Sequence, residues 1–277
     1  MKSKFRFSRK ALAYPYMLFL LLFVVTPLVI ILINAFLSPD NKLTLNNFVE
    51  FFSNSGGGMT VLGNSLLIGI VTTVICLAIG YPCAYLLAKY HASNKVFVLM
   101  FILPMWMNFL LRTLAWQTLL EKNGVINGIL SFLHLPNIAI INTPWAIILG
   151  MVYNFLPFMI LPIYNVLAKI DDNTINAAKD LGANNFQTLI HIWIPLSIPG
   201  IISGITMVFV PALTTFVISS LLGGSKILLI GNVIEQEFTK GSNWHLGSGL
   251  SLVLMIFILL SMALIAKYDK EGEGNAF

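Results

Sequence analysis

Charged residues are scarce in this sequence. They make up 10% of the 277 residues, whereas hydrophobic residues make up 57%, and the mean hydropathy is +0.87. A soluble domain carries about 25% charged residues, so these charges are too few to cover a water-exposed surface. The net charge of +5 does not indicate nucleic-acid binding, because five basic residues lie in the first ten positions and the others separate apolar segments. We therefore expect lipid to surround most of the protein.

Cysteines and catalytic motifs are also scarce. Cys76 and Cys83 lie in one apolar segment, and on a helix seven residues separate them by about 10 Å, too far for a disulfide. No glycine-rich phosphate loop of the Walker type is present, so the chain shows no means of hydrolysing a nucleotide. We predict no catalytic residue and no metal site, because the histidines lack metal-ligand spacing: His91, His134, His191 and His245.

Long apolar segments dominate the chain. A helix needs about 20 residues to cross the hydrocarbon core of a membrane. The first segment is too long for the core of a signal peptide and is interpreted as a retained anchor. The sequence predicts an all-α membrane protein with six transmembrane helices in a single domain, 1–277. The predicted spans are 13–36, 62–88, 96–119, 143–168, 199–221 and 246–267.

The distribution of Lys and Arg predicts the orientation of the spans. Basic residues are enriched in cytoplasmic loops. With both termini in the cytoplasm, the inside segments hold eleven basic residues and the outside loops hold four, with Arg112 left inside a span. This arrangement places loop 169–198 in the cytoplasm. The inside residues are Lys2, Lys4, Arg6, Arg9, Lys10, Lys89, Lys95, Lys169, Lys179, Lys267 and Lys270; the outside residues are Lys42, Lys122, Lys226 and Lys240.

Helix-breaking prolines lie in the interior of several predicted spans. Pro104 lies in the third span, Pro157 and Pro162 in the fourth, and Pro211 in the fifth. A proline frees a backbone carbonyl, and such breaks are tolerated in a membrane where protein or a water-filled cavity satisfies the freed groups. Kinks of this kind occur in transport pathways. Prolines are also simply commoner in membrane helices, and both interpretations stay open.

Polar and aromatic side chains in the spans are candidates for a substrate path. Asn108, Arg112 and Trp116 are spaced by four, so they should form one helical stripe. An arginine inside a span costs about 2.5–3.5 kcal/mol, so Arg112 should face water or protein, either along a path or against backbone carbonyls. A cationic solute would be repelled by Arg112 and would rely on aromatic faces through cation–π contacts, although these aromatics could equally anchor or pack the helices. The candidate path residues are Trp106, Asn108, Arg112, Trp116, Tyr153, Asn154, Phe158, Glu235 and Glu237.

Loop 169–198 is a polar and amphipathic segment between two apolar spans. Asp171 to Thr174 supply N-cap residues, and small residues from Asn176 begin a short helix. Gly182 allows the left-handed turn that ends this helix. A second helix, 184–194, carries apolar residues at helical spacing, and Pro195 and Pro199 should end it. We predict a helix–turn–helix that docks against another protein, and we call residues 171–195 the docking knob.

The docking knob resembles the EAA loop of ABC importer permeases. Asn176-Ala177-Ala178, Gly182, Ile192 and Ile194-Pro195 follow the family spacing of Glu-Ala-Ala, Gly and Ile-x-Leu-Pro. Asn176 replaces the family glutamate, which removes any salt bridge that glutamate makes, and Ile194 replaces the leucine. The resemblance implies coupling to an ATPase through Asn176, Ala177, Ala178, Asp180, Gly182, Ala183, Phe186, Ile192 and Pro195.

Further stretches resemble permeases of the spermidine/putrescine group. They are Leu103–Trp106, Leu111–Trp116, Asn123–Asn127, Leu222–Lys226 and Ile230–Ile234. The resemblance covers nearly the whole chain and implies a type I ABC importer permease fold in the bacterial cytoplasmic membrane. It implies ATP-driven polyamine import by alternating access, a second homologous permease, two ATPase subunits that use ATP and Mg²⁺, and an extracytoplasmic solute-binding protein. This chain itself should bind no cofactor.

Other functions stay open from the sequence alone. A related ABC importer could carry iron, thiamine, sulfate or an opine, and Arg112 would suit an anionic solute better than a cation. A stand-alone secondary transporter is a further alternative. The spans, however, lack the buried carboxylates that are typical of proton or sodium coupling.

Overall fold

A computed structural model describes residues 14–53, 58–91, 95–224, 227–241 and 243–274. Lys226 and the five basic residues from Lys2 to Lys10 lie outside these ranges. The described residues form twelve helices and one isolated β-bridge, between Leu37 and Leu43. The helices are α1 Tyr14–Ala35, α2 Asn46–Phe52, α3 Gly58–His91, α4 Lys95–Trp106, α5 Phe109–Leu120, α6 Val125–Phe132, α7 Pro144–Leu167, α8 Asp172–Asp180, α9 Asn185–Thr214, α10 Val217–Leu222, α11 Ile230–Thr239 and α12 Trp244–Gly274.

Five of the described helices are long and apolar enough to cross a membrane: α1, α3, α7, α9 and α12. The bent pair Val96–Trp106 and Phe109–Phe132 makes a sixth if it is counted as one span. The all-helical class is therefore confirmed for the described residues, and five or six candidate spans stand against the six predicted. The first and fourth spans, predicted at 13–36 and 143–168, end within one residue of α1 and α7.

The third span is not the continuous helix that the sequence predicts. The chain bends by 87° between Trp106 and Phe109. Asn108 has φ of −56° and ψ of 128°, outside the helical range, and its side-chain oxygen accepts hydrogen bonds from the amides of Leu110 (2.9 Å) and Leu111 (3.2 Å). Asparagine bonds to nearby backbone in this way and therefore favours the N-cap over the helix interior. Asn108 thus caps α5 and does not share a helical stripe with Arg112.

The fifth span begins earlier than predicted, because Pro195 and Pro199 do not interrupt α9. This helix runs from Asn185 to Thr214. A π-helical turn at Leu189–Trp193 ends two residues before Pro195, and the amide of Ile194 donates to the carbonyl of Leu189. A π turn inserts one extra residue into the hydrogen-bond ladder, which accommodates the proline ring and its missing N–H. The docking knob is consequently continuous with a membrane span.

The described residues divide between two compact units. One lies within Met1–Met59 and Ile234–Ile256, and the other within Thr60–Val233 and Phe257–Phe277. In the first unit, the buried Asn47 side chain donates to the carbonyls of Ala35 (2.9 Å) and Leu37 (3.0 Å), which joins α2 to the end of α1. The prediction of one domain stays a prediction.

The core of the second unit is centred on α7. Helix α9 packs against α7 through Gly200 and Gly204. A Cβ at Gly200 would lie 2.9 Å from the carbonyl oxygen of Pro162 and 3.0 Å from the Cα of Ile163, and a Cβ at Gly204 would lie 2.7 Å from the Met159 sulfur. Small residues allow two membrane helices to approach closely and gain packing contacts. The glycines therefore hold α7 and α9 together, and α9 leads directly into the docking knob.

Candidate functional site

The first half of the docking knob is helix α8, which begins at Asp172. The Asp171 side chain caps it by accepting from the amide of Asn173 at 3.0 Å. The prediction that the helix begins at Asn176 is wrong by four residues, because the acidic N-cap starts the helix immediately. Asn176 therefore lies in the middle of α8.

The turn between α8 and α9 has a defined geometry. Gly182 has φ of +89°, a left-handed conformation that glycine adopts without steric cost. Its amide donates to the carbonyl of Lys179 (2.8 Å), and the amide of Ala183 donates to the carbonyl of Ala178 (3.0 Å). This pair of bonds is the Schellman motif that closes a helix. The prediction that Gly182 ends the first helix is confirmed.

A capping box begins the second half of the knob. The amide of Gln187 donates to the side chain of Asn184 at 2.8 Å, and the amide of Asn184 donates to the side chain of Gln187 at 2.9 Å. Reciprocal bonds of this kind satisfy two free amides at the start of a helix. Sequence reasoning placed the helix start at Asn184 but did not identify Gln187, although the spacing of three residues is a recognisable signal. The two caps make the knob a rigid element.

Large apolar side chains are exposed on the docking knob, and two of them stand out. Leu181 is 91% exposed and Phe186 is 68% exposed, whereas Ile175 and Trp193 are buried. The coupling residues predicted from the sequence include Phe186 and omit Leu181. The position of Leu181 directly before the capping glycine could have indicated that its side chain is exposed. Exposed apolar residues on a rigid element are typical of an interaction surface.

A groove of about 340 Å³ lies beside Leu181. Of the predicted coupling residues, Ala178, Gly182, Ala183 and Ile192 line it, together with Gln187, Thr188 and His191. Ala177, Asp180 and Pro195 are exposed outside the groove. Asn176 lines a different cavity, behind the knob. The structure thus brings together the small and apolar members of the predicted coupling set and separates Asn176 from them.

The structure brings together two of the predicted path aromatics. The rings of Trp116 on α5 and Tyr153 on α7 meet edge to face, with centroids 5.3 Å apart. Trp106, at the end of α4, is 75% exposed, and Phe158 on α7 is 36% exposed. Edge-to-face pairs stabilise helix packing, so the contact of Trp116 with Tyr153 gives these rings a packing role whether or not they also face a path.

The predicted path also contains two carboxylates, Glu235 and Glu237. Both lie on α11 within the first compact unit and are partly buried. One carboxylate oxygen of Glu235 accepts from the hydroxyl of Thr239 at 3.1 Å.

Arg112 and Asn154 are buried and incompletely hydrogen-bonded. Arg112 is 7% exposed and Asn154 is 1% exposed. The side-chain amide of Asn154 donates to the carbonyl of Gly150 at 2.8 Å. The Nε and Nη1 atoms of Arg112 and the side-chain oxygen of Asn154 have no partner among the described residues. Burying such groups without hydrogen bonds destabilises a fold, so Arg112 marks a position that packing alone does not explain.

Arg112→Met is expected to raise the free energy of unfolding by about 1–3 kcal/mol, the typical cost of a buried unsatisfied polar group. Thermal unfolding of the purified protein measures this change, and Arg112→Gln, which stays polar, should give no such gain. A less stable Arg112→Met protein would contradict the prediction by showing that the guanidinium is paired in the working protein.

The stretch 230–234 contains a buried asparagine with a structural role. The sequence analysis identified this stretch only by its resemblance to known permeases. Asn232 is 3% exposed. Its side chain accepts from the hydroxyl of Ser219 and the amide of Leu229, and donates to the carbonyl of Phe216 and the hydroxyl of Ser220. This network ties the start of α11 to α10. Gly231 is required beside it, because a Cβ there would lie 2.6 Å from the carbonyl oxygen of Thr214.

The fold and the knob define a class of membrane transport subunit. Residues 78–269 match the family described as binding-protein-dependent transport system inner membrane component, and the chain belongs to this family. It is therefore a multi-pass inner-membrane permease subunit of an ABC transport complex. The spermidine/putrescine transport system permease protein PotB of Haemophilus influenzae is 37% identical over 278 residues, 97% of this chain and 95% of that protein. PotB of Escherichia coli K12 is 38% identical over 252 residues, 88% of this chain and 91% of that protein.

Solved structures share the fold. A bacterial ABC transporter involved in the import of the acidic polysaccharide alginate contains a chain that matches with a TM-score of 0.81 at 16% identity, over 97% of this chain and 96% of that one. The alginate transporter in complex with its alginate-bound periplasmic protein matches with a TM-score of 0.80 at 16% identity, over 92% and 91%. The predicted ABC importer permease fold is confirmed.

Proposed function

We propose that this chain is a permease subunit of an ATP-driven importer of polyamines such as spermidine and putrescine. The observation that carries the proposal is 37% identity to a PotB permease over 97% of the chain. The proposed complex contains a second homologous permease, two ATPase subunits and an extracytoplasmic solute-binding protein. Both termini and the docking knob lie on the cytoplasmic side, in keeping with the Lys and Arg distribution.

ATP hydrolysis takes place in the ATPase subunits, which use ATP and Mg²⁺, and its energy enters this chain through the docking knob. The exposed side chains of Leu181 and Phe186 and the groove beside Leu181 form the surface that contacts the ATPase. Asn176 stands at the position of the family glutamate but lines another cavity. Docking therefore depends on apolar contacts and small-residue packing rather than on a charge at Asn176.

The connection of the knob to the membrane spans supports alternating access. The knob is continuous with α9, and α9 packs closely on α7 through Gly200 and Gly204. Closely packed helices move together rather than deform. When the ATPases close on ATP, movement of the knob turns α9 and α7 together and opens the path toward the solute-binding protein. Hydrolysis restores the inward-facing state.

A related importer for another solute is the second candidate, favoured by one observation. Arg112 is buried and carries unpaired donors, which an anionic solute would satisfy and a polyamine would not. Iron, thiamine, sulfate and opines are the solutes to compare. The aromatic pair of Trp116 and Tyr153 favours a cation, because the face of an aromatic ring attracts positive charge.

The test is uptake by the complete complex reconstituted in proteoliposomes with its solute-binding protein. Radiolabelled spermidine and putrescine are compared with sulfate, thiamine and iron, with and without internal ATP. We expect ATP-dependent accumulation of at least one polyamine and none of sulfate, thiamine or iron. Absence of polyamine uptake in a complex that hydrolyses ATP and transports another solute would contradict the substrate assignment and leave the permease class unchanged.

A further inference from the structure

A polar cavity of about 360 Å³ lies behind the docking knob, in the second compact unit. Helix α3 contributes Tyr85, Lys89 and Tyr90, and helix α8 contributes Asn176 and Lys179. The end of α7 and the first turns of α9 complete it. Among the described lining residues, two lysines face one carboxylate, that of Asp172, so the lining carries a net charge of +1. A cavity with this lining suits an anion.

Lys89 is held in place by the tyrosines beside it. Its ammonium group donates to the hydroxyl oxygen of Tyr85 at 3.0 Å and lies 5.3 Å and 5.2 Å from the ring centroids of Tyr85 and Tyr90. Because the Tyr85 oxygen accepts this bond, its own O–H remains a donor. Lys89 and Tyr85 therefore present neighbouring donors, the arrangement that a phosphate oxygen accepts.

The cavity lies where two candidate membrane spans end. The spans Gly58–Tyr90 and Pro144–Leu167 both end at its wall. Lysine and tyrosine at the ends of spans extend their polar groups toward the membrane surface. The anion most readily available at the end of a membrane span is the phosphate of a membrane lipid.

We propose that this cavity binds the phosphate group of an anionic phospholipid. Lys89, Lys179 and the Tyr85 hydroxyl contact the phosphate, and Asn176 and Asn185 contact the polar part of the headgroup. Tyr85 also meets the buried ring of Trp193 edge to face, with centroids 5.2 Å apart, which links α3 to the π turn of α9. A lipid bound here contacts both halves of the knob and the end of α3, and it fixes the angle at which the knob leaves the membrane.

The test uses the complete purified complex in nanodiscs made of phosphatidylcholine alone or with phosphatidylglycerol. Binding of phosphatidylglycerol is titrated by native mass spectrometry and by the rise in unfolding temperature. Each basic residue near an anionic membrane surface adds an electrostatic attraction to the lipid. Lys89→Gln and Lys179→Gln should therefore each weaken phosphatidylglycerol binding about fivefold. Lys122→Gln, an exposed lysine between α5 and α6, is the matched control and should bind as the wild type does.

Three results would overturn the proposal. The first is that the double variant Lys89→Gln and Lys179→Gln binds phosphatidylglycerol as the wild type does. The second is that Lys122→Gln loses as much phosphatidylglycerol binding as the cavity variants lose. The third is that inorganic phosphate, added to phosphatidylcholine nanodiscs, stabilises the wild type as much as phosphatidylglycerol does, which would assign the cavity to free phosphate. The binding measurement does not require transport, so it stands or fails separately from the polyamine assignment.

Discussion

Leu181→Asp is expected to abolish ATP-dependent uptake and to release the ATPase subunits from the membrane. Leu181 is 91% exposed at the tip of the docking knob, so it gains apolar burial only when a partner covers it. Loss of that burial removes about 1.5–3 kcal/mol, and covering a carboxylate adds a further desolvation cost. A total of roughly 4 kcal/mol corresponds to about a thousandfold weaker ATPase binding. Ala177→Asp, which adds charge to the same element, should act in the same direction.

Co-purification of the ATPase with the tagged permease measures the loss. The chain should still insert and fold, because the Leu181 side chain is almost fully exposed within this chain. Leu133→Asp is the matched control: the same change at a leucine that is 57% exposed beyond the end of α6 should leave the ATPase attached. Normal transport and normal ATPase recovery in Leu181→Asp would show that the knob does not dock through this face.

Gly200→Ala is expected to lower the free energy of unfolding by about 1–3 kcal/mol, the usual cost of overpacking a close interface. The added methyl group would meet the carbonyl oxygen of Pro162 at 2.9 Å and the Cα of Ile163 at 3.0 Å. Both are backbone atoms of α7 and cannot move without shifting the helix. Uptake should fall as well, since α7 and α9 would no longer pack as one unit beneath the knob.

Gly63→Ala provides the control for this substitution. Gly63 also lies in a membrane-spanning helix, but a Cβ there has nothing within 4 Å. Without a clash, only the higher helix propensity of alanine remains, worth up to about 1 kcal/mol of stabilisation. Thermal unfolding of the purified complexes should therefore move in opposite directions for the two variants. Equal shifts would contradict the close packing of α7 on α9.

Features that depend on neighbouring residues were predicted correctly from the sequence. The spans 13–36 and 143–168 follow from apolar length alone, and α1 and α7 match them. Gly182 was predicted to end the first helix of the knob because few other residues adopt its left-handed conformation, and φ of +89° confirms it. The start of the second helix at Asn184 was likewise correct, because an N-cap acts only on the amides that follow it.

Features that depend on contacts between distant residues were decided by the tertiary structure. Asn176 was grouped with the coupling residues, and it lines the cavity behind the knob. Leu181 was overlooked, because spacing alone does not show which apolar side chain of a short helix stays exposed.

The amino-acid sequence alone therefore determined that this protein is a bundle of membrane-spanning helices with a capped helix–turn–helix between two of them. Span length and capping are local properties, and each is satisfied within a few residues of chain. The packing of α9 on α7 at Gly200, and the division of the knob into an exposed apolar face and a polar cavity, required the tertiary structure. These features arise where segments far apart in sequence come into contact, and burial there depends on shape as well as on residue type.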